Sequence, residues 1–433
     1  MPEAIVVAFT PLWRNRNFRL LFVAQIISLL GSGVTTVGLA LFAYQLTGGA
    51  SATAVIGNAL TLRILAFLMF SQPAGVIADR VRRKRILISA DLFRFALLAL
   101  FPFITAVWQI YVLIFAINAV TAFFTPTFEA SIPELVGDEQ HVKALSLSRV
   151  ATDIEAAAAP ALAGILVTLL GLRWLFWFDA FTYLVSAALV GLAAMPHVAK
   201  TQAVLSLRGF LAELTTGTRI LLNEPSLRQA LILSFAEATA GAAAIVATIS
   251  YVRDVLGRGD TAFAFVMAGV GFGSSIAAIS LGRVTGRYEQ GVKRGAALHG
   301  RRHTEAQRAL IAGGVLLSLV LLPDVFTPSL IIFSLLWVLN GAGQALIAIP
   351  SSTLLAEHTF EEERGRAYAA HFALTHACWL ITYPAIGHAA ASLGSPLTFT
   401  IAGVTCLLAT GIAVTMRQSG PSEHTHEHES TKA

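Results

Sequence analysis

Of the 433 residues, 56% are apolar and only 13% carry a charge, against roughly 25% charged in soluble domains. That balance excludes a water-facing globular surface over most of the chain. The charges form short islands, and between them run mainly apolar stretches of about 18 to 28 residues, enough to cross a hydrocarbon core of roughly 30 Å at 1.5 Å per residue.

In chain order, Pro2 and Glu3 precede Arg14, Arg16 and Arg19, without the basic start and small-residue cleavage site of a secretory signal. The first helix is therefore expected to be retained. Apolar runs predict helices near 19–46, 52–78, 84–107, 109–130, 144–170 and 173–195. A second set follows near 228–252, 261–283, 309–323, 328–352, 367–392 and 395–416. Between the sets, Lys200, Arg208, Glu213, Arg219, Glu224 and Arg228 are spaced through apolar residues, as in an amphipathic connector on a membrane surface.

The basic residues test and orient this plan. With the N-terminus in the cytoplasm, 25 of the 30 lysines and arginines fall on the cytoplasmic side, Arg173, Arg253 and Arg258 on the other, and Arg63 and Arg94 within helices. This positive-inside bias predicts an even helix count with both termini cytoplasmic. It also accounts for the basic net charge of +5 through loops facing an anionic leaflet, without nucleic acid. Cys378 and Cys406 lie in apolar runs with no partner spacing, so neither a disulfide framework nor a cysteine metal site is expected. No G-x-x-x-x-G-K-S/T loop occurs, which argues against direct ATP use. Gly269, Gly271 and Gly273 mimic part of a dinucleotide fingerprint but lie inside an apolar helix, where close helix packing explains them better.

Between helices 2 and 3 the chain reads Gly75-Val-Ile-Ala-Asp79-Arg80-Val-Arg82-Arg83-Lys84. This resembles the loop motif G-x-x-x-D-R/K-x-G-R/K-R/K of the major facilitator superfamily, with Arg82 in the second glycine place. The resemblance implies a gating latch in which Asp79, Arg80 and Arg83 hold helix ends together in one conformation. The matching loop between helices 8 and 9 has Gly282 and Arg283 but lacks the aspartate. Helix 5 carries Ala159-Pro160-Ala-Leu-Ala163-Gly164, similar to the G-P-x-x-G-G core of superfamily antiporters with alanine in two glycine places. That similarity favours export, although generic helix packing uses the same small residues.

Ionisable residues at membrane depth are expensive and by default mark ion or proton paths. Arg63, Asp153, Glu155, Glu237 and His376 are the deepest by position. Asp153 and Glu155 lie about 200° apart around a helix, so one is expected to line a cavity while the other pairs with Arg63 or Arg149. A structural salt bridge serves that cluster equally well. Asp91 and Arg94, three apart, are expected to pair on one face. Asp179, near Arg173, Trp174 and Trp177, is read as part of an interfacial belt. Asn340, Gly341, Gly343 and Gln344 on helix 10, and Asn118, Thr121, Thr125 and Glu129 on helix 4, are polar stretches suited to a cavity wall between two repeats.

Helix 11 carries His371 and His376, and the tail carries His424, His426 and His428. Imidazole suits nickel, cobalt, copper or zinc. Together with Ala144-Leu-Ser-Leu-Ser-Arg149-Val-Ala-Thr-Asp153-Ile-Glu155, these stretches resemble the nickel- and cobalt-resistance exporters of the superfamily. His371 and His376 are about 140° apart on a helix and form no obvious chelate. The expectation is an all-α membrane protein of twelve transmembrane helices in two six-helix bundles, the major facilitator fold, divided as 1–195, 196–227, 228–416 and a tail 417–433. Its expected activity is secondary efflux by proton antiport. Nickel or cobalt is the first substrate class and an organic drug or siderophore-like compound the alternative. No enzyme, cofactor or nucleic-acid partner is expected, and the chain is read as a monomer of the cell membrane.

Overall fold

The computed structural model describes residues 12–136, 138–195, 207–292, 299–359 and 363–416, with some side chains inside these helices also outside the described set. The described residues form helices and no strand. Six come first: α1 (Arg16–Thr47), α2 (Gly49–Arg80), α3 (Arg83–Ala99), α4 (Val107–Val136), α5 (Asp138–Leu170) and α6 (Leu172–Leu192). A shorter helix, α7 (Leu207–Asn223), leads to α8 (Pro225–Ser250), α9 (Asp260–Val292), α10 (His299–Leu321), α11 (Leu330–Glu357), α12 (Arg364–Leu393) and α13 (Ser395–Thr415).

Ten of these helices are long and apolar enough to cross a membrane, and α5 makes eleven if its two halves count as one span. It is bent by 41° between Val150–Ala156 and Ala158–Leu170. Pro160 explains the bend: it has no N–H for the carbonyl of Ala156, and its ring crowds that turn. Helix α12 has the length, 30 residues, but its histidines, threonines and tyrosines dilute its apolar character. It can afford them because it packs against α2, α7 and α8.

The two sets repeat one contact plan. α1 packs on α5 and α6, α2 on α4, and α3 on α4 and α6; the same pairs recur shifted by seven, as α8 on α12 and α13, α9 on α11, and α10 on α11 and α13. Across the repeat, α2 meets α12 and α5 meets α9. The junctions repeat too: Gly171 (φ 90°) joins α5 to α6 and Gly394 (φ 82°) joins α12 to α13, each turning the chain in a backbone region that side chains rarely adopt.

Several boundaries differ from those expected, among them the start of helix 9, at His299 rather than 309. Helix 3 does not run to 107: after α3 a 3-10 turn, Phe101–Phe103, contains Pro102, which cannot continue the helix. Helix 8 runs past 283 to Val292. The helix expected to end at 252 opens into a π turn, Tyr251–Val255. The close-packing reading of the glycine run holds. A Cβ on Gly273 would strike the carbonyl of Val338, and one on Gly341 that of Val270, so α9 and α11 touch backbone to backbone.

Candidate functional site

A cavity of about 490 Å³ lies against the first bundle, with α12 as its far wall. Hydroxyl and amide groups face it from Gln25 and Ser28 on α1, Asn118, Thr121 and Thr125 on α4, and Thr152 on α5. Between them stand the rings of Phe67, Phe124, Phe128 and Phe372. Charge enters from Arg63 on α2, Arg94 on α3 and Glu129 on α4, and His376 adds an imidazole. A wall of aromatic faces with a few placed polar groups suits an amphiphilic organic molecule.

The far end of the cavity is shut by contacts between the bundles. Thr53 on α2 donates to the carbonyl of Gly387 on α12 at 3.0 Å. A turn deeper, Gly57 lies so close to the backbone of Tyr383 and Gly387 that a side chain would not fit. Thr168 on α5 and Thr261 on α9 share a hydrogen bond of 2.8 Å. Tyr44 on α1 donates to Asp254 in the π turn, and the Arg253 guanidinium sits 5.1 Å from the Tyr44 ring centre while pairing with Asp260 at 3.3 Å. The π turn thus aims two charged residues at the first bundle.

Arg63 is exposed to the cavity. Its charge is felt by Glu155 on α5 and by His376 and Tyr383 on α12, so the structure brings together three of the expected pathway residues. Glu155 lies against Gly33 of α1, where any side chain would displace it. The backbone of Asp153 lies in α5 but its side chain is outside the described set, as is that of Arg149. Glu237 on α8 lies within electrostatic reach of Cys378 rather than on the cavity wall. Asn340 is fully buried and bonds Gln344 at 2.6 Å. Those two therefore do not line this cavity, whereas the polar stretch on α4 does.

His376 stacks on Phe372 with ring centres 3.8 Å apart, and its Nδ1 lies 2.8 Å from the Phe372 carbonyl. His371 turns elsewhere, with a buried Nε2 that has no hydrogen-bond partner. Among the described residues no group of three or more histidines, cysteines, aspartates or glutamates could hold a metal ion. His424, His426 and His428 lie outside the described residues. Gly75, Asp79 and Arg80 belong to α2, but their side chains are also outside the described set. Arg83 bonds Glu134 and the Ala130 carbonyl of α4, and Lys84 donates to the carbonyls of Gly191 (2.7 Å) and Ala193 (2.9 Å) at the end of α6. Both contacts stay inside the first bundle.

The Asp91–Arg94 pair forms as its spacing predicts, buried behind the cavity wall, with Ser186 donating to Asp91 at 2.7 Å. Arg94 lies over the rings of Phe124 (4.1 Å) and Tyr183 (4.4 Å), and the Tyr183 hydroxyl meets Ser32 at 2.8 Å. Asp179 corrects the interfacial reading. It is 1% exposed, packed against Gly31 of α1, and joins this cluster, while Trp174 and Trp177 are exposed. Seven residues into α6 it stands about 10 Å from the helix start, too deep for a belt. No pattern within α6 marks it; the fit appears only where Gly31 of α1 leaves room for the carboxylate.

The residues 6–432 match the family model described as "Transmembrane secretion effector", of the major facilitator superfamily. The chain belongs to that family: it is a multi-pass membrane transport protein and not an enzyme. Macrolide efflux protein A of Streptococcus pyogenes is 27% identical over 191 residues, 43% of this chain and 46% of that protein. The match thus spans less than half the length of that relative. An uncharacterised MFS-type transporter of Bacillus subtilis, YfiS, is 24% identical over 92% of each chain. In fold, the chain is similar to the nucleoside transporter NupG (TM-score 0.67, 14% identity, 93% of this chain and 99% of that one). It is also similar to a bacterial homolog of the human lysosomal transporter Spinster (TM-score 0.64, 14% identity, 94% and 99%).

Proposed function

We propose that this protein exports organic amphiphiles by alternating access, as a proton antiporter acting as a monomer in the cell membrane with both termini cytoplasmic. The observation that carries the reading is the cavity on the bundle interface, shut at the end bearing Thr53, Thr168 and Asp254 and lined by phenylalanines, hydroxyls and one exposed guanidinium. With the basic loops inside, that shut end is extracellular and the cavity belongs to an inward-facing state. The macrolide efflux relatives support an organic substrate. Nickel or cobalt, with His371 and His376 as ligands and the tail histidines gathering ions, has weaker support. His376 is stacked rather than poised with a second ligand.

In this reading Arg63, Glu155 and His376 recognise polar groups of the substrate, and the phenylalanines hold its apolar body. Antiport needs a carboxylate at membrane depth, the chemistry for which the sequence singled out Asp153, Glu155 and Glu237. Asp79 and Arg80 act as the moving part of the loop latch, while Arg83 and Lys84 anchor it to α4 and α6.

The test is accumulation in cells stripped of their own exporters, scored for a macrolide, an organic cation, nickel and cobalt. Expression is expected to lower macrolide accumulation, an uncoupler to restore it, and Phe372→Ala to weaken the effect several-fold at unchanged protein level. Lower nickel or cobalt accumulation with every organic compound unchanged would replace the organic reading by the metal one.

A further inference from the structure

The cluster in the first bundle holds two carboxylates and one guanidinium. Asp91 is 0% exposed, Asp179 1% and Arg94 4%. Arg94 bonds Asp91, whose other oxygen is served by Ser186. Asp179 is left with neutral hydroxyls beside its carboxylate. The Thr182 hydroxyl lies 3.2 Å from its carboxylate but donates its one hydrogen more closely, at 2.7 Å, to the backbone carbonyl of Asp179. The Thr35 hydroxyl stands beside it as a second neutral neighbour. With both carboxylates ionised, the cluster would carry one net negative charge at membrane depth, and one proton removes it.

The cluster is also connected. Arg94 and Ser32 both face the cavity, and Ser32 is bonded to the Tyr183 hydroxyl, one helical turn from Asp179 on the same face of α6. The Arg94 Nε is buried with no acceptor, so the guanidinium has unused bonding capacity.

From this geometry we infer that Asp179 carries the coupled proton, taking it up and releasing it as Arg94 divides its charge between Asp179 and the cavity. The inference rests on the antiport reading above and names its ion site. In each cycle the Asp179 carboxylate gains one proton from water on one face and loses it to water on the other; no other bond changes. Among the described residues, the charged and titratable groups around Asp179 are Asp91 and Arg94 from α3 and Tyr183 from α6 itself. α1 contributes the uncharged Gly31, Ser32 and Thr35. Glu155 of α5 meets α1 at Gly33, two residues and about 200° around α1 from the Gly31 contact.

The experiment uses the full-length protein in liposomes, with a labelled macrolide as probe and transport measured with and without an imposed pH gradient. The wild type is expected to be accelerated by the gradient. Asp179→Asn should lose at least tenfold of that gradient-driven uptake while macrolide exchange at equal pH stays within twofold. Its residual transport should be flat from pH 5.5 to 8.5. Asp179→Glu, which keeps an ionisable oxygen, should recover part of the gradient response.

A wild type indifferent to the gradient overturns both antiport and this assignment. A gradient-driven wild type with an equally gradient-driven Asp179→Asn overturns the assignment alone. Should Asp179→Asn fail to reach the membrane, Thr182→Val serves instead, since it alters the carboxylate's surroundings and leaves its charge. It should shift the midpoint of the pH profile, and an unmoved midpoint counts against Asp179.

Discussion

The two halves of the molecule share a contact plan and fill it differently. Where α3 meets α6, the first half places Asp91, Arg94, Asp179 and Ser186 around an ion pair. The matching helices α10 and α13 meet through Gly314, Ser318, Gly403 and Thr410, all uncharged, and α13 contains no charged residue. α2 and α4 interlock through rings, Phe70 lying 6.1 Å from Phe115 and 6.3 Å from Phe123, where α9 and α11 press glycine on backbone. The cavity follows the same division, with α1 to α5 supplying most of its wall. The fold thus tolerates two fillings of one contact plan: a polar half, whose α3–α6 seam holds an ion pair and whose helices line most of the cavity, and a close-packed half, whose α9 and α11 meet backbone to backbone.

The sharpest way to break this comparison is to remove the cation. Arg94→Met leaves two buried carboxylates without a counter-charge, and breaking a buried pair in this way costs about 3–5 kcal/mol. It is expected to abolish folded protein in the membrane, with Asp91→Asn on the same chain restoring part of it. Ser318→Ala at the matching place removes one hydrogen bond to the Gly314 carbonyl (2.7 Å), worth about 1 kcal/mol. Melting in detergent by size-exclusion chromatography compares them. Similar melting of the two variants would mean that the halves do not differ in what holds them.

The second prediction concerns packing. Gly341→Leu pushes a side chain into the Val270 carbonyl across α9 and α11, an overpacking that costs about 1–3 kcal/mol. Gly411→Leu, on an open face of α13, should leave the melting temperature unchanged. If both melt alike, backbone contact between α9 and α11 contributes nothing to the close-packed half.

How much of this was legible beforehand depended on whether a feature was local. The apolar spans, the Asp91–Arg94 pair and the polar face of α4 follow from periodicity, because 3.6 residues per turn fixes which side chains share a face. The position of Asp179 did not follow. Chain neighbours Trp174 and Trp177 pointed to an interface, and only the contact of α6 with Gly31 of α1 puts the carboxylate in the interior. Arg63 and His376 meet at the cavity across more than 300 residues of chain, which no pattern within either helix encodes. The π turn at Tyr251–Val255 has no sequence mark either; it is sustained by the stack of Tyr251 on Phe333 (4.5 Å) and the bond from Tyr251 to the Asp324 carbonyl (2.9 Å).

A smaller effect is expected where the halves touch. Tyr44→Phe removes the bond to Asp254 but keeps the ring under Arg253. The loss of about 1 kcal/mol from the shut end should raise the open population there roughly five-fold. Cysteines at Thr168 and Thr261, whose hydroxyls are 2.8 Å apart, report this by cross-linking. Their disulfide yield should fall in the Tyr44→Phe background, and an unchanged yield would remove Tyr44 from the closure.

The smallest effect belongs to the anchors of the loop between α2 and α3. Arg83 ties α3 to Glu134 and the Ala130 carbonyl of α4, and Lys84 reaches the carbonyls of Gly191 and Ala193 at the end of α6. These groups are partly exposed, 14% for Arg83 and 23% for Glu134, and ion pairs open to solvent contribute only about 0–1 kcal/mol. Arg83→Gln should therefore lower melting by a few degrees at most, and Lys84→Gln by less, since its acceptors are neutral carbonyls. Both contacts lie within the polar half, so neither needs to break in the proposed rocking of the halves. Transport per folded molecule should then stay near wild type in both variants, whereas Asp79→Asn, if Asp79 is the moving part of the latch, should cut transport sharply at unchanged protein level. Equal loss of transport in Arg83→Gln and Asp79→Asn would show that the anchor and the latch act as one device, and that the polar half does not move as a rigid body at this loop.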